Sequence, residues 1–156
     1  MHGETFITKA NAGQKRACIL MAHGWGRTTA AMRRDAAAFA NPGYYVITFD
    51  YRGWATSDAR VVLTKPEPPD SERHGGKFTA EVQEVRGEVD PIDMGSDWLN
   101  AIHRAAGEPQ CDMQRFVLWG SSFSGGLVVY AATRDNRVKA IHSQVGSMDG
   151  RTGWDE

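Results

Sequence analysis

The amino-acid sequence predicts an α/β fold on a doubly wound, mostly parallel sheet, and three observations predict it. Apolar, β-rich runs alternate with helix-period segments; the runs are continuous, as in strands buried on both faces; and Gly, Asp, Asn or Pro closes most of them. Strands separated by helices need right-handed crossovers, which set neighbouring strands parallel.

Thr5–Thr8 reads as a first strand and Ala17–Ala22 as a second, buried on both faces and broken at His23-Gly24. A helix is predicted over Thr29–Ala40, with Met32, Ala36 and Phe39 on one face and Asn41-Pro42-Gly43 as its stop. Tyr44–Phe49 is a third strand, ending at Asp50 and turning through Gly53. Between about 58 and 90, prolines and glycines interrupt a charged stretch without sustained period, so it reads as an excursion from a single domain, 1–156. The next helix is capped by Asp90, has Pro91 at its first position and Asp93 at its positive end, and closes at Gly107 and Pro109. Its predicted buried face is Ile92, Leu99, Ile102 and Ala106. After a turn through residues 108–112 come a short strand, Arg115–Trp119, a buried helix including Leu127–Ala132, and a last strand within Arg137–Val145.

Composition excludes several classes of function. A chain of 156 residues with 41% hydrophobic residues is long enough for a core that needs neither disulfides nor a structural metal. Its net charge of -1 gives no electrostatic reason to bind nucleic acid or anionic lipid. Cys18 and Cys111 have neither CxxC spacing nor a neighbouring histidine, so two reduced thiols are expected and no metal or cofactor. The first residues lack a basic and apolar leader, and no apolar run approaches the roughly 18 residues of a membrane span, which leaves a cytoplasmic location as the expectation.

Chemistry concentrates in Trp119-Gly120-Ser121-Ser122-Phe123-Ser124-Gly125-Gly126, between a strand and a helix. A serine at a sharp strand-to-helix turn projects its hydroxyl from the carboxyl edge of a sheet, and its neighbours must be small. The G-x-S-x-G pattern fits with Ser122 as nucleophile, although Ser124 stands at the closing glycine. The other register makes Ser124 the nucleophile; Ser122 is preferred because it falls in the tight part of the turn. His23-Gly24-Trp25-Gly26 follows a buried strand, where oxyanion donors arise, so the backbone N–H groups of Trp25 and Phe123 are the candidate oxyanion hole, with His23 bracing the loop.

Together with Asp50-Tyr51-Arg52-Gly53-Trp54-Ala55-Thr56-Ser57-Asp58, these segments resemble the α/β-hydrolase superfamily in order and spacing, from about Ala17 to Val145. Ala55 departs from the usual glycine. The Ser-Phe-Ser-Gly-Gly form is similar to esterase, dienelactone-hydrolase-like and Xaa-Pro-peptidase-like branches. The resemblance implies a serine hydrolase that cleaves an ester or related acyl bond of a small molecule through an acyl-enzyme, with Asp50 and Arg52 as scaffolding.

It also implies an acid and then a histidine after the serine. Asp135 and His142 follow Ser122, but the helix returns Asp135 to the amino edge of the sheet and His142 lies inside a strand. Asp149, after the last strand, is the better-placed acid. His2, His74 and His103 precede the serine and read as surface residues. The expectation is therefore a fold cut short after the strand that follows the nucleophile helix, with the base beyond Glu156 and an exposed edge strand open to self-association. Two rivals remain: a non-catalytic module of this fold that binds a ligand or partner, and a Rossmann domain, whose G-x-G-x-x-G continuation is missing after Gly26.

Overall fold

The computed structural model describes residues 1–150; Glu156, where the sequence reading ends the fold, lies outside them. Along the chain run β1 (Gly3–Phe6), β2 (Arg16–Ala22), α1 (Thr29–Ala40), β3 (Tyr45–Phe49), β4 (Arg60–Leu63), β5 (Val82–Val85), α2 (Pro91–Ala106), β6 (Cys111–Ser121), α3 (Phe123–Ala132) and β7 (Ala140–Gln144). Five strands form one sheet in the order β1-β3-β2-β6-β7. Only β1 is antiparallel to its neighbour; β3, β2, β6 and β7 are parallel.

Period-2 geometry explains why the strands read as continuous apolar runs. Cys18, Leu20, Tyr45, Ile47, Phe116 and Leu118 point to the face covered by α2 and α3, whereas Ile19, Met21, Val46 and Trp119 point to the face covered by Met32, Ala36 and Ala40 of α1. Both faces are buried, so alternation disappears from the sequence. Each large side chain removed from water contributes about 1.5–3 kcal/mol, and the two layers fix the sheet between them.

Three expectations need correction. The buried face of α2 is Met94, Asp97, Trp98, Ala101, Ile102 and Ala105; Ile92 is 71% exposed and Ala106 faces water. The helix is turned by the polar pair Arg52–Asp97. Arg52 Nη2 and Nε lie 2.7 and 2.9 Å from Asp97 Oδ1, and the Arg52 N–H donates to Oδ2 at 2.9 Å. Trp98 then packs edge-on to Phe49, with ring centroids 5.1 Å apart. Secondly, β6 begins at Cys111, not Arg115. Arg16 and Ala17 pair with Cys111 and Asp112, the register shifts, and Cys18 pairs with Phe116. Asp112 organises the irregularity by accepting from Gln114 N at 3.0 Å and Arg115 Nε at 2.7 Å, so polar residues conceal the strand's start.

Thirdly, the excursion contains a ribbon: β4 and β5 pair antiparallel from Arg60↔Val85 to Leu63↔Val82. Its strands are largely exposed, which is why no burial period marks them. Its joins to the sheet's loops include Gly87 N to Gly53 O at 3.1 Å and Arg86 Nη1 to Ser57 O at 3.2 Å. No helix among the described residues is long and apolar enough to cross a membrane.

The turn from β3 toward this ribbon places Ala55 at φ 45°, in the left-handed region, which accounts for the glycine usual there. Ala55→Gly is therefore expected to raise stability, by up to about 1 kcal/mol after the extra chain entropy of glycine is offset. Urea denaturation checks the sign; a lower midpoint contradicts it.

Candidate active site

Parallel pairing ends β2 and β6 side by side, with Ala22 opposite Gly120, and β7 continues the row with Gln144 opposite Ser121. The loops that leave these strands meet at the carboxyl edge. Chain leaving β6 must enter α3 almost at once, and Ser122 makes the reversal at φ 56°, ψ -122°. Such backbone costs of order 1–3 kcal/mol and persists only where its surroundings hold it. Here Ser122 N–H donates to Gln144 O at 2.9 Å, while Ser122 O accepts from Gly125 N at 2.8 Å and Ser147 N at 3.1 Å. Gly120 is required by contact, because a Cβ there would lie 2.3 Å from the Ser124 carbonyl oxygen.

The two serines are placed differently. Ser122 is exposed, and its hydroxyl has no hydrogen-bond partner among the described residues. Ser124 is fully buried in the first turn of α3. It donates to His23 O at 2.5 Å and meets the Tyr51 hydroxyl, so its oxygen is committed to tying α3 to the ends of β2 and β3. Burial holds the Tyr51 phenol well above its ordinary range, so it stays a neutral hydrogen-bonding group.

The loop after β2 presses against Ser122. A Cβ on Gly24 would come 2.8 Å from Ser122 Cβ and 2.9 Å from Ser121 O. Trp25 next to it is 66% exposed, and Phe123 packs partly on the core. Among the described residues, the Trp25 and Phe123 backbone N–H groups have no acceptor. Both border a cleft of about 370 Å³ or the turn beside it; the cleft is lined by Gly24, Trp25, Arg27, Met32, Ser122 and Gln144, among others. A larger cavity of about 550 Å³ lies between β1 and α2 over Leu20, Ile47 and Phe49, away from Ser122.

Beneath the loop sits a buried polar pair that the sequence reading treated as scaffolding. Asp50 accepts from Thr29 N at 2.7 Å and Thr29 Oγ1 at 2.9 Å, capping the start of α1. Its Oδ1 lies 3.3 Å from Nε2 of His23, which is 1% exposed. Burial would push the Asp50 carboxyl up, but the contacts with His23 and Thr29 outweigh it and hold the group below the usual range. Position immediately after strands was the available signal for both residues. Gln144 and Ser147, which pin Ser122, carried none.

Asp135 and the histidines other than His23 make their contacts elsewhere than at Ser122. Asp149 is exposed, five residues beyond β7. Asp135 lies past the far end of α3, where Arg137 bonds it at 2.5 Å and lowers its carboxyl below the ordinary range. His142, exposed on the edge strand β7, stacks on Trp119 of β6, 6.0 Å between centroids and 8° between planes. His103 contacts Arg137, His74 lies in the ribbon's connection, and His2 sits 3.7 Å from Asp50. No cluster of potential metal ligands occurs among the described residues.

Comparison with known proteins gives a consistent picture. The family model for hydrolases described as serine aminopeptidase, S33 matches residues 13–145. An uncharacterised 31.7 kDa protein from the traX-finO intergenic region of Escherichia coli is 33% identical over 137 residues, 87% of this chain and 39% of that protein. The quorum-quenching protein AidA of Acinetobacter baumannii is 32% identical over 134 residues, 85% of this chain and 36% of that protein. The chain thus spans less than two-fifths of the length of these relatives. Among solved structures, acetyl xylan esterase 1 from Thermoanaerobacterium superposes with a TM-score of 0.70 at 19% identity, covering 99% of this chain and 46% of the esterase. That likeness shows the α/β-hydrolase fold.

Gly120→Ala tests the close approach at the turn. Its Cβ meets backbone that has no room to retreat, and the overlap is expected to cost about 1–3 kcal/mol in urea unfolding. An unchanged midpoint would show that the turn is looser than its contacts imply.

Proposed function

The chain belongs to the serine aminopeptidase S33 family of hydrolases, and from that premise we propose that Ser122 is the nucleophile of a serine hydrolase acting on an ester or related acyl bond of a small molecule. One observation carries the proposal. Ser122 is an exposed serine in strained backbone whose hydroxyl, like the two backbone N–H groups beside it, has no partner among the described residues. Ser124, buried and bonded to His23 and Tyr51, is assigned a structural role instead.

In the proposed reaction Ser122 Oγ attacks the acyl carbon and gives up its proton to a general base, which returns it to the leaving group. Water then attacks the acyl-enzyme and the serine recovers its proton. The Trp25 and Phe123 N–H groups stabilise the oxyanion; losing one such donor costs about 10²–10³ in rate. A serine hydroxyl needs the base at neutral pH, and no described histidine is hydrogen-bonded to Ser122. Asp149, following β7 on the side of the sheet where Ser122 lies, is the acid candidate within the chain.

Covalent labelling of the intact protein with a fluorophosphonate, followed by peptide mapping, tests the assignment. The adduct is expected on Ser122, and Ser122→Ala should abolish labelling and lower turnover by on the order of 10⁶. Ser124→Ala should keep the label while losing stability. A folded, unlabelled wild-type protein would instead identify a non-catalytic binding module, and an adduct on Ser124 would move the nucleophile.

A further inference from the structure

We infer that Arg27 is a specificity-determining residue whose guanidinium recognises a carboxylate on the small ester that Ser122 attacks. This deepens the hydrolase assignment and rests on it for turnover, though binding at Arg27 is measurable without any chemistry.

The geometry of the loop puts Arg27 beside the nucleophile. Its backbone N–H donates to the Gly24 carbonyl at 3.4 Å, and between them Gly26 takes φ 72°, as the third position of a type II turn requires. Such a turn keeps its first and fourth Cα atoms within about 7 Å of each other. Gly24, the first of the four, is the residue that lies against Ser122. Arg27 therefore stands one turn's width from that contact and lines the same cleft as Ser122. None of this uses its side chain, and the residue is exposed.

That side chain is unmatched in a chain that pairs most of its other arginines. Arg33, Arg52, Arg60, Arg104, Arg115 and Arg137 each meet a carboxylate. Arg27 makes no side-chain hydrogen bond or ion pair with any described residue. Arg34, equally unpaired among the described residues, does not line the cleft. Asp35 does line it, but forms no ion pair with Arg27 and stands six residues along α1 from Thr29, about 9 Å down the helix axis. Five N–H donors in a planar fork are thus uncommitted beside the reacting centre, and that fork matches a carboxylate.

The neighbouring side chains define the rest of the ligand. Trp25, second in the turn, is 66% exposed, and Met32 and Trp119 share the cleft with it, so hydrocarbon is accommodated next to the cation. Asp35 disfavours a dianion and repels a carboxylate carried far along α1. A cleft of about 370 Å³ is at the small end for ligand sites. These constraints fit a short monoanionic ester: one carboxylate, a few methylenes and the acyl bond to be cleaved.

Steady-state kinetics of the intact protein with two pairs of esters test this. Monoethyl glutarate against ethyl pentanoate carries the carboxylate on the acyl chain; O-butyrylglycolate against propyl butanoate carries it on the alcohol. In at least one pair the charged ester is expected to show a KM lower by about tenfold, the worth of a charge-assisted hydrogen bond, with kcat little changed and the preference shrinking as salt is raised. Arg27→Met should bring that KM ratio close to one, Arg27→Lys should keep part of it, and Asp35→Asn should widen it. Equal KM values within both pairs overturn the inference, as does a preference that survives Arg27→Met. Nitrogen-15 spectra of the intact protein titrated with glutarate separate this result from the hydrolase assignment. If Ser122 fails to label with fluorophosphonate, saturable movement of the Trp25 and Arg27 signals that Arg27→Met abolishes still upholds carboxylate recognition, and unmoved signals refute it.

Discussion

The parallel pairing of β2 with β6 is the constraint on which the site depends. Because the two strands end level, at Ala22 and Gly120, the loop from His23 onward and the turn at Ser122 emerge as neighbours. Neither loop contacts the other by virtue of its own sequence. Burial of both sheet faces fixes the register, since a slip of one residue would exchange the side chains that meet α1 for those that meet α2 and α3. Hydrophobic packing far from the cleft therefore decides where the polar groups of the cleft stand.

On that platform the polar interactions divide into two layers. Asp50, Thr29, His23, Ser124 and Tyr51 are buried and connect the ends of β2 and β3 to the starts of α1 and α3. Above them, Ser122, Trp25 and the rim of the cleft are open to water. The lower layer holds the upper one in a conformation that isolated loops would not keep, the left-handed Ser122 included. Its hydrogen bonds act in a low-dielectric environment, where each missing partner is expensive and the arrangement is accordingly rigid.

Much of this was legible in the sequence because it follows from local rules. Continuous apolar runs marked the doubly buried strands, Asp90-Pro91 marked the start of α2 to the residue, and a small-residue turn after an apolar strand marked Ser122. Long-range pairing was illegible. Nothing local indicates that Asp97 would turn α2 toward Arg52, leaving Ile92 in water, or that Asp112 and Gln114 continue a strand. The same holds within the site: Gln144 and Ser147 bind Ser122 through backbone atoms, which any residue possesses, so their side chains advertise nothing.

The ribbon of β4 and β5 pairs with itself and not with the main sheet, and its side chains contribute little to either core layer. Changes toward its outer end therefore disturb the sheet little, whereas its base is tied to the frame through Arg60–Asp93, Arg86–Ser57 and Gly87–Gly53. Innovation in this molecule has an obvious place to happen. A lineage can rebuild the outer end of the ribbon and leave the turn at Ser122 where it is, because the two share no core layer.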